Sequence, residues 1–293
     1  MQFTLQKGPY TAVAETKGGE LVSFRDAAGT EYIWGGDPAY WSGRNPNLFP
    51  IVGSLKNGRV RINGREYEMG RHGFARGSEF TAAERGEDFV VFELRESADT
   101  LARYPFPFLL RVRHQLLEDG FATTFEVTNT GDTPLPFCAG AHTAFNCPLY
   151  AGERFEDYQL VFDQEEDSDS LALTPEGLLL PGKRVPILHG TDTIPLSHQP
   201  FDELDTLMFD GLRSKGVKLI HKGTGHGIHM AFKDFPMIAF WTKANANAPY
   251  ICLEPWHGCA AWDDESGEFT DKPHCITLQP GESRTLGYSV KTV

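Results

Sequence analysis

The sequence predicts an all-β protein, a large antiparallel β sandwich or barrel with few short helices. Apolar and polar residues alternate in many short runs, which is the period-two pattern of half-buried strands. The chain of 293 residues contains 30 Gly and 19 Pro with no repeat period, which suits many turns between short strands. No segment shows the apolar spacing of an amphipathic helix of three or more turns.

The first strand signals come in hairpins. Residues 21–34 and 60–69 each combine alternation with a central turn, at Asn63-Gly64 in the second case. Residues 89–94 form a largely apolar run, which is typical of a strand with both faces covered.

The strongest hairpin signal spans residues 110–127. Alternate residues from Leu110 to Leu116 fall on one face, a Glu-Asp-Gly turn follows, and alternation resumes from Phe121 to Val127. Further strands are predicted at residues 217–221, 227–232, 237–242, 250–254 and 285–291.

Length and charge limit the classes of function. We expect one domain, residues 1–293, because no linker or repeat divides the chain. The net charge of −13 disfavours nucleic acid and anionic membranes as partners. Five scattered cysteines with no CxxC motif argue against a disulfide framework or a zinc site, and we expect a reducing, cytoplasmic location.

Two segments have unusual composition. Residues 133–152 lack Asp, Glu, Lys and Arg, but three prolines would break a spanning helix, so a buried loop or strand pair is expected, with the wall of a ligand cleft as the alternative. Residues 153–169 are strongly acidic and are expected to form a solvated surface segment.

The first segment that could carry chemistry is RHGFAR, residues 71–76. Arg71 and Arg76 flank His72, and a guanidinium group offers a planar fork that suits hydroxyls, carboxylates or phosphate. The plainer interpretation is a polar loop with surface arginines.

Two further segments place ionisable groups in apolar surroundings. His142 lies in the uncharged run, and Glu254 ends an apolar strand just before Pro255. A carboxylate in that setting is costly unless it is paired or useful, although a salt-bridged strand end would also explain it. Trp241 and Trp256 offer flat apolar faces on which a sugar ring could stack.

Two histidines and one glutamate from distant parts of the chain have two chemical uses. Such a set can ligate zinc or iron, although no HExxH or HxD spacing supports a metal. It can also perform acid–base catalysis without a metal, with a carboxylate and an imidazole on opposite sides of the reacting bond. The residues by themselves leave both uses open.

Four motifs in order resemble those of the aldose 1-epimerase (galactose mutarotase) superfamily, and in particular its LacX-like branch. They are YIWGGDPAYWSGRNPNLFPIVG, RHGFAR, GAHTAFNCPL and CLEPWHG. The resemblance runs from about Gly19 to the C-terminus. It implies a β-supersandwich fold, an open cleft, and interconversion of the α and β anomers of an aldose with no cofactor and no metal.

The resemblance also implies roles for single residues. Glu254 would be the general base on the C1 hydroxyl, and His142 would protonate the ring oxygen. His72 would hydrogen-bond the sugar and stabilise the open form. Rotation about C1–C2 and reclosure would then give the other anomer.

The substrate-binding residues follow the family pattern less closely. Ser54 stands where many galactose mutarotases have an arginine, and Arg71, Arg76 or Lys56 would replace it. Asp205 is the expected sugar-binding aspartate, with Asp210 as second choice.

Trp241 and Asn47 complete the predicted binding set. A sugar phosphate is an alternative substrate, because Arg76 is of the type that hexose-6-phosphate mutarotases direct at phosphate. A non-catalytic sugar-binding protein is a further alternative. The expected partner is a small aldose or aldose phosphate, and the protein is expected to be a monomer or homodimer.

Overall fold

The computed structural model describes residues 1–293, which form mainly antiparallel strands joined by turns. The strands are β1 Gln2–Lys7, β2 Tyr10–Glu15, β3 Glu20–Arg25, β4 Asn47–Leu48, β5 Arg59–Ile62, β6 Arg65–Glu68, β7 Thr81–Arg85, β8 Phe89–Arg95, β9 Phe108–Leu116, β10 Gly120–Asn129, β11 Leu135–Phe137, β12 Ala139–Ala141, β13 Thr143–Asn146, β14 Tyr158–Leu173, β15 Leu179–Pro195, β16 Thr206–Asp210, β17 Gly216–His221, β18 Gly227–Ala231, β19 Met237–Trp241, β20 Tyr250–His257, β21 Ile276–Leu278 and β22 Ser283–Thr292. Two six-residue α-helices, α1 Ala98–Arg103 and α2 Gln199–Leu204, and four three-residue 3-10 helices complete the regular structure.

Two large sheets build the fold. The nine-stranded sheet has the order β15-β14-β17-β18-β22-β10-β9-β8-β7. The second sheet has the order β16-β19-β20-β12-β4, and β13 also pairs with β20. Smaller sheets are formed by β1-β2-β3, β5-β6 and β11-β21. The all-β antiparallel prediction is therefore confirmed.

The two large sheets share one apolar core. A cluster of 60 buried residues includes Val112 and Phe125 of the nine-stranded sheet together with Phe240 and Leu253 of the second sheet. Apolar faces of two sheets packed on each other make a sandwich. The single-domain boundary of 1–293 stays a prediction.

The hairpin predicted within residues 110–127 is present as β9 and β10. Residues from Phe108 to Leu116 alternate between buried and half-buried positions, as the sequence pattern requires. The strands pair with Phe121 opposite Leu116. The hairpin at residues 60–69 and the later strands are also confirmed, within a few residues at their ends.

The hairpin expected at residues 21–34 forms only in its first arm. β3 ends at Arg25, and Glu31 and Ile33 make isolated bridges rather than a strand. The Glu31 carboxylate accepts the backbone N–H groups of Phe24, at 2.8 Å, and Ile33, at 3.1 Å. A side chain that takes strand hydrogen bonds in this way competes with regular pairing.

The acidic segment at residues 153–169 was expected to be solvated, and it is so only in part, because it contributes a strand with one buried face. β14 begins at Tyr158, and Tyr158, Leu160 and Phe162 are buried. Glu166 is also buried. Its carboxylate accepts the backbone N–H groups of Ser214 and Arg213, and these hydrogen bonds offset the cost of burying it. Buried and half-buried residues alternate along the first part of this strand, and the buried apolar side chains pack against the core.

The uncharged residues 133–152 contain the short strands β11, β12 and β13, most of whose residues are buried. These strands pair with other parts of the chain and not with one another, so burial is as expected but the strand pair is not, and His142 of this segment lines a cavity, as the alternative required. None of the helices has the length and apolar character needed to cross a membrane.

Candidate active site

Strand register brings the first two catalytic candidates together. β12 pairs with β20 through Gly140 and Trp256, and β13 pairs with β20 through Thr143 and Leu253. Continuing either register into the break between β12 and β13 puts His142 opposite Glu254. Facing residues on antiparallel strands have side chains in contact.

His142 and Glu254 form a buried pair. Nε2 of His142 lies 3.3 Å from Oε2 of Glu254, and the side chains are only 10% and 2% exposed. Burial raises the pKa of Glu254 well above its ordinary value, and the charge of Arg71 opposes this shift. Burial, followed by the charge of Arg71, lowers the pKa of His142 to about 3. Both shifts favour the uncharged forms, a protonated carboxyl on Glu254 and a neutral imidazole on His142.

His72 reaches the same place from the loop after β6. Its ring centroid lies 5.6 Å from that of His142, edge to face. Nδ1 of His72 accepts the N–H of Gly53 at 3.1 Å, which leaves Nε2 as the proton-bearing nitrogen of the neutral ring. Burial, then the nearby His142, lowers the pKa of His72 well below its ordinary value. His72 can thus donate a hydrogen bond to a ligand.

The backbone that carries His72 is unusual. His72 has φ of 65°, a value that non-glycine residues seldom adopt, and such strain is common at functional sites. The next residue, Gly73, has φ of 74°, and a Cβ on it would lie 2.2 Å from the backbone oxygen of Phe49. Only glycine fits there without displacing β4.

Aromatic rings enclose the imidazole of His142. Trp41 stacks on it at a centroid distance of 4.9 Å, and Trp241 meets it edge-on at 5.5 Å. The two tryptophans contact each other at 5.3 Å. They form an apolar wall that excludes water and offers faces for a sugar ring.

These groups line a cavity of about 150 Å³. Its walls are formed by Trp41, Arg71, His72, Arg76, His142, Asp205, Thr206, Trp241, Glu254 and Trp256. Seven of the eight site residues predicted from the sequence therefore converge, although they are widely separated along the chain.

The matches to known proteins agree with this geometry. The sequence matches the family model described as aldose 1-epimerase over residues 1–291. The chain belongs to the aldose 1-epimerase family. Membership places it among enzymes that isomerise carbohydrates, and it confirms the family predicted from the four motifs.

Individual relatives of this aldose 1-epimerase family member extend over the whole chain. The chromosomal protein LacX of Lactococcus lactis subsp. lactis is 37% identical over 297 residues, with 99% of both chains covered. A galactose mutarotase related enzyme from Lactobacillus acidophilus has a TM-score of 0.94 at 30% identity, covering 100% of this chain and 97% of that one. A galactose mutarotase-like protein from Lactobacillus casei has a TM-score of 0.93 at 27% identity, with both chains fully covered. The LacX-like branch is thereby confirmed, as is the mutarotase-like sandwich.

Asn47 is the one predicted site residue that does not line the cavity. It is buried, and its side-chain amide donates to the backbone oxygens of Gly18 at 2.9 Å and Gly19 at 2.7 Å. Asn47 therefore ties β4 to the turn before β3. The second-choice aspartate, Asp210, is also elsewhere, since it pairs with His274 at 2.9 Å.

Asp205 lies at the cavity rim in a strained conformation, with φ of 63° at the end of α2. Its carboxylate accepts the hydroxyl of Thr206 at 2.8 Å and the indole N–H of Trp241 at 3.4 Å. These contacts fix the carboxylate and one tryptophan relative to each other. An aspartate held in this way can accept hydrogen bonds from a polyol.

Arg71 and Arg76 remain without a carboxylate partner in this family member. Neither guanidinium forms a salt bridge, although both line the cavity. Burial, followed by the charge of Arg71, lowers the pKa of Arg76. Ser54 does not line the cavity but lies beside Gly177, whose Cβ would be 3.3 Å from the Ser54 hydroxyl and 3.9 Å from the Arg71 guanidinium carbon.

Sequence reasoning missed two cavity residues, Trp41 and Thr206, whereas Trp256 lines the cavity as a possible stacking face. Trp41 stood within the first motif, but nothing local distinguishes it from the adjacent Tyr40. One further donor lies beneath the site, because Cys252 has its sulfur within 4.8 Å of donor atoms of both His142 and Glu254. A thiol, an imidazole and a carboxyl are zinc-type ligands, although burial raises the pKa of Cys252 and favours the thiol form.

Proposed function

We propose that this protein is a mutarotase that interconverts the α and β anomers of a hexose by acid–base ring opening and closure. The observation that carries the proposal is the buried contact of 3.3 Å between His142 and Glu254 at the wall of the cavity. Mutarotation removes one proton from O1 and delivers one to O5, so two groups that share one proton meet its needs.

In the proposed cycle the pair always holds one proton. When a cyclic sugar binds, the proton moves from Glu254 to His142, and Arg71 stabilises the carboxylate that results. Glu254 then takes the O1 proton while His142 protonates O5, and the ring opens. This step returns the pair to its neutral resting form, with the carboxyl protonated.

Closure uses the same groups in reverse. After rotation about C1–C2, His142 accepts the O5 proton and Glu254 returns a proton to O1. His72 donates from Nε2 to an oxygen of the open form, and Asp205 and the tryptophans hold the pose. The low dielectric of the site strengthens each of these contacts.

Polarimetry of freshly dissolved α-glucose and α-galactose tests the proposal. A positioned acid or base contributes typically ~10²–10⁴-fold, so Glu254→Gln should reduce the catalysed rate by that order. Glu126→Gln, on the nine-stranded sheet, is the matched control and should keep full activity. Equal rates for wild type and Glu254→Gln on every sugar would reject the mechanism.

A phosphorylated hexose is a second candidate substrate, favoured by the unpaired guanidinium groups of Arg71 and Arg76. Two such groups in a protein of net charge −13 form a local positive site for an anion. Arg76→Met should then lower kcat/KM for hexose 6-phosphates by tenfold or more while leaving free hexoses within about twofold, since charge-assisted hydrogen bonds contribute roughly 1.5–3 kcal/mol. An equal effect on both substrate classes would count against phosphate.

A further inference from the structure

Two cysteines face each other at one end of the short sheet formed by β11 and β21. The register pairs Leu135 with Leu278 and Phe137 with Ile276. Continuing this register one residue past the ends of β11 and β21 makes Cys138 and Cys275 the next facing residues. Facing residues in an antiparallel pair have Cα atoms about 4.5–5.5 Å apart, which is inside the range of about 4.4–6.8 Å that a disulfide spans.

The backbone hydrogen bonds define which kind of facing pair this is. The N–H of Cys138 donates to the oxygen of Pro50 at 2.7 Å, and the N–H of Cys275 donates to the oxygen of Lys272 at 3.1 Å. The two cysteines therefore exchange no ladder bonds. In an antiparallel sheet, facing residues that form no backbone hydrogen bonds with each other have the shorter Cα–Cα distance, and their side chains lie closer together.

A buried ammonium group lies beside the thiols. The side chain of Lys272 is fully buried, and its Nζ has no hydrogen-bond partner. The carboxylate oxygen of Glu265 lies 3.7 Å away, beyond hydrogen-bond distance. The Glu265 carboxylate therefore pairs with the charge of Lys272 without a hydrogen bond, and a thiolate beside the ammonium would be a second, hydrogen-bonding anion.

The pKa of Cys138 agrees with this arrangement. A hydrogen bond from the Cys275 thiol lowers the pKa of Cys138, burial opposes the shift, and the charge of Lys272 lowers it further. The positive charge of Lys272 lowers the pKa of both thiols and so favours a thiolate at this pair. Cys275 is only partly buried, which gives a small oxidant a route to the pair.

We propose that Cys138 and Cys275 are an oxidation site that closes to a cross-strand disulfide and reopens on reduction. With hydrogen peroxide as oxidant, the Cys138 sulfur attacks one oxygen, the O–O bond breaks, and a hydroxide leaves and is protonated to water. The Cys275 sulfur then attacks the resulting sulfenic acid, a second water leaves, and the S–S bond forms. Two thiols and one peroxide become one disulfide and two waters, so atoms and electrons balance.

The site lies next to the candidate active site but does not depend on its chemistry. Cys138 directly precedes β12, and His142 follows that strand. On the other side, His257 of β20 contacts the backbone oxygen of His274 at 2.6 Å. The disulfide would therefore fasten residues 272–276 to the strands that carry His142 and Glu254.

Peroxide treatment of the full-length protein, followed by alkylation and peptide mass spectrometry, tests the proposal. The expected product is one intramolecular bond between Cys138 and Cys275 that dithiothreitol reverses. The same bond should form in Cys259→Ser, which removes the other buried thiol of the neighbouring cluster, and should be absent in Cys275→Ser. A bond to Cys259, irreversible oxidation of Cys275 without a disulfide, or no oxidation would each overturn the proposal.

Two measurements separate this site from a non-specific reaction of thiols. Lys272→Met should slow disulfide formation near neutral pH by about tenfold, since loss of the cation raises the thiol pKa by about one unit, whereas Lys272→Arg should keep most of the rate. The oxidised wild-type protein should have a higher Tm than the reduced protein, with no such difference in Cys275→Ser. Equal rates in Lys272→Met and wild type would remove the proposed role of the ammonium.

Discussion

At the residue scale, the decisive property of the candidate site is the number of protons it holds. Burial raises the pKa of Glu254 and lowers that of His142, so both groups favour their uncharged forms. A sequence shows that the two groups exist but not that burial shifts their pKa values in opposite directions. That property arises because both side chains are removed from water at the same point.

A broad pH profile of kcat/KM follows from this pair. Activity needs one proton on the pair, so the acid limb reflects a second proton entering and should lie well below 6.5, towards the His142 pKa of about 3. The alkaline limb reflects loss of the first proton and should lie well above 4.5, because burial raises the Glu254 pKa. Rates over a pH series at low substrate concentration check this, and an acid limb at an ordinary histidine pKa would contradict it.

At the element scale, close backbone contacts position the side chains of the site. The loop after β6 packs against the end of β4, where Gly73 forms an isolated bridge with Phe49 and leaves no room for a side chain. A comparable turn between β5 and β6 contains Gly64, which has φ of 76° and nothing within 4 Å of a built Cβ. The two glycines share a backbone conformation and differ in their surroundings.

Gly73→Ala and Gly64→Ala form a matched pair. Gly64→Ala should cost only about 1–2 kcal/mol of unfolding free energy, the price of the left-handed conformation. Gly73→Ala adds a clash with the Phe49 backbone, so we expect a loss of roughly 3 kcal/mol or more, together with reduced activity as His72 moves. Chemical denaturation of both variants measures the difference in unfolding free energy. Equal losses would show that the Phe49 backbone can move away from the added methyl group at little cost.

At the scale of the whole molecule, buried histidines link separate sheets. His114 of β9 is fully buried, with Nε2 2.8 Å from the oxygen of Gly19 and Nδ1 2.9 Å from the hydroxyl of Thr123. It joins the nine-stranded sheet to the turn before β3. Burial lowers the pKa of His114 from 6.5 to about 4.

Acid should therefore destabilise the protein partly through His114. Between pH 6.5 and 4 the unfolded chain binds a proton that the folded state does not, so stability falls as the pH falls. The contribution lost over this range is on the order of 3 kcal/mol. In His114→Gln, unfolding should take up about one proton fewer over this pH range, so the unfolding free energy should depend less steeply on pH. His72 and His142 are present in both proteins and contribute the same slope to each. Parallel curves for variant and wild type would exclude this role.

The local pattern of the sequence was sufficient for many of the strands, although not for β1, β2, β14 and β15, and for most residues of the cavity wall. Period-two alternation predicts β9 and β10 because a half-buried strand needs no information from elsewhere in the chain. The resemblance of the motifs to those of a known family pointed to Glu254, His142 and His72, and the structure places all three in the wall of one cavity. The same local reasoning failed at residues 153–169, where acidic side chains on one face hid a strand, and at Asn47, whose amide serves the backbone.

Only the tertiary structure decided how these residues work. The contact between His142 and Glu254, the stacking of Trp41 and the unpaired state of Arg71 and Arg76 depend on segments far apart in sequence. So does the placement of Cys138 opposite Cys275, which needs β11 and β21 to pair. Side-chain identity is a local property, whereas desolvation, proton sharing and proximity are set by neighbours that the fold supplies.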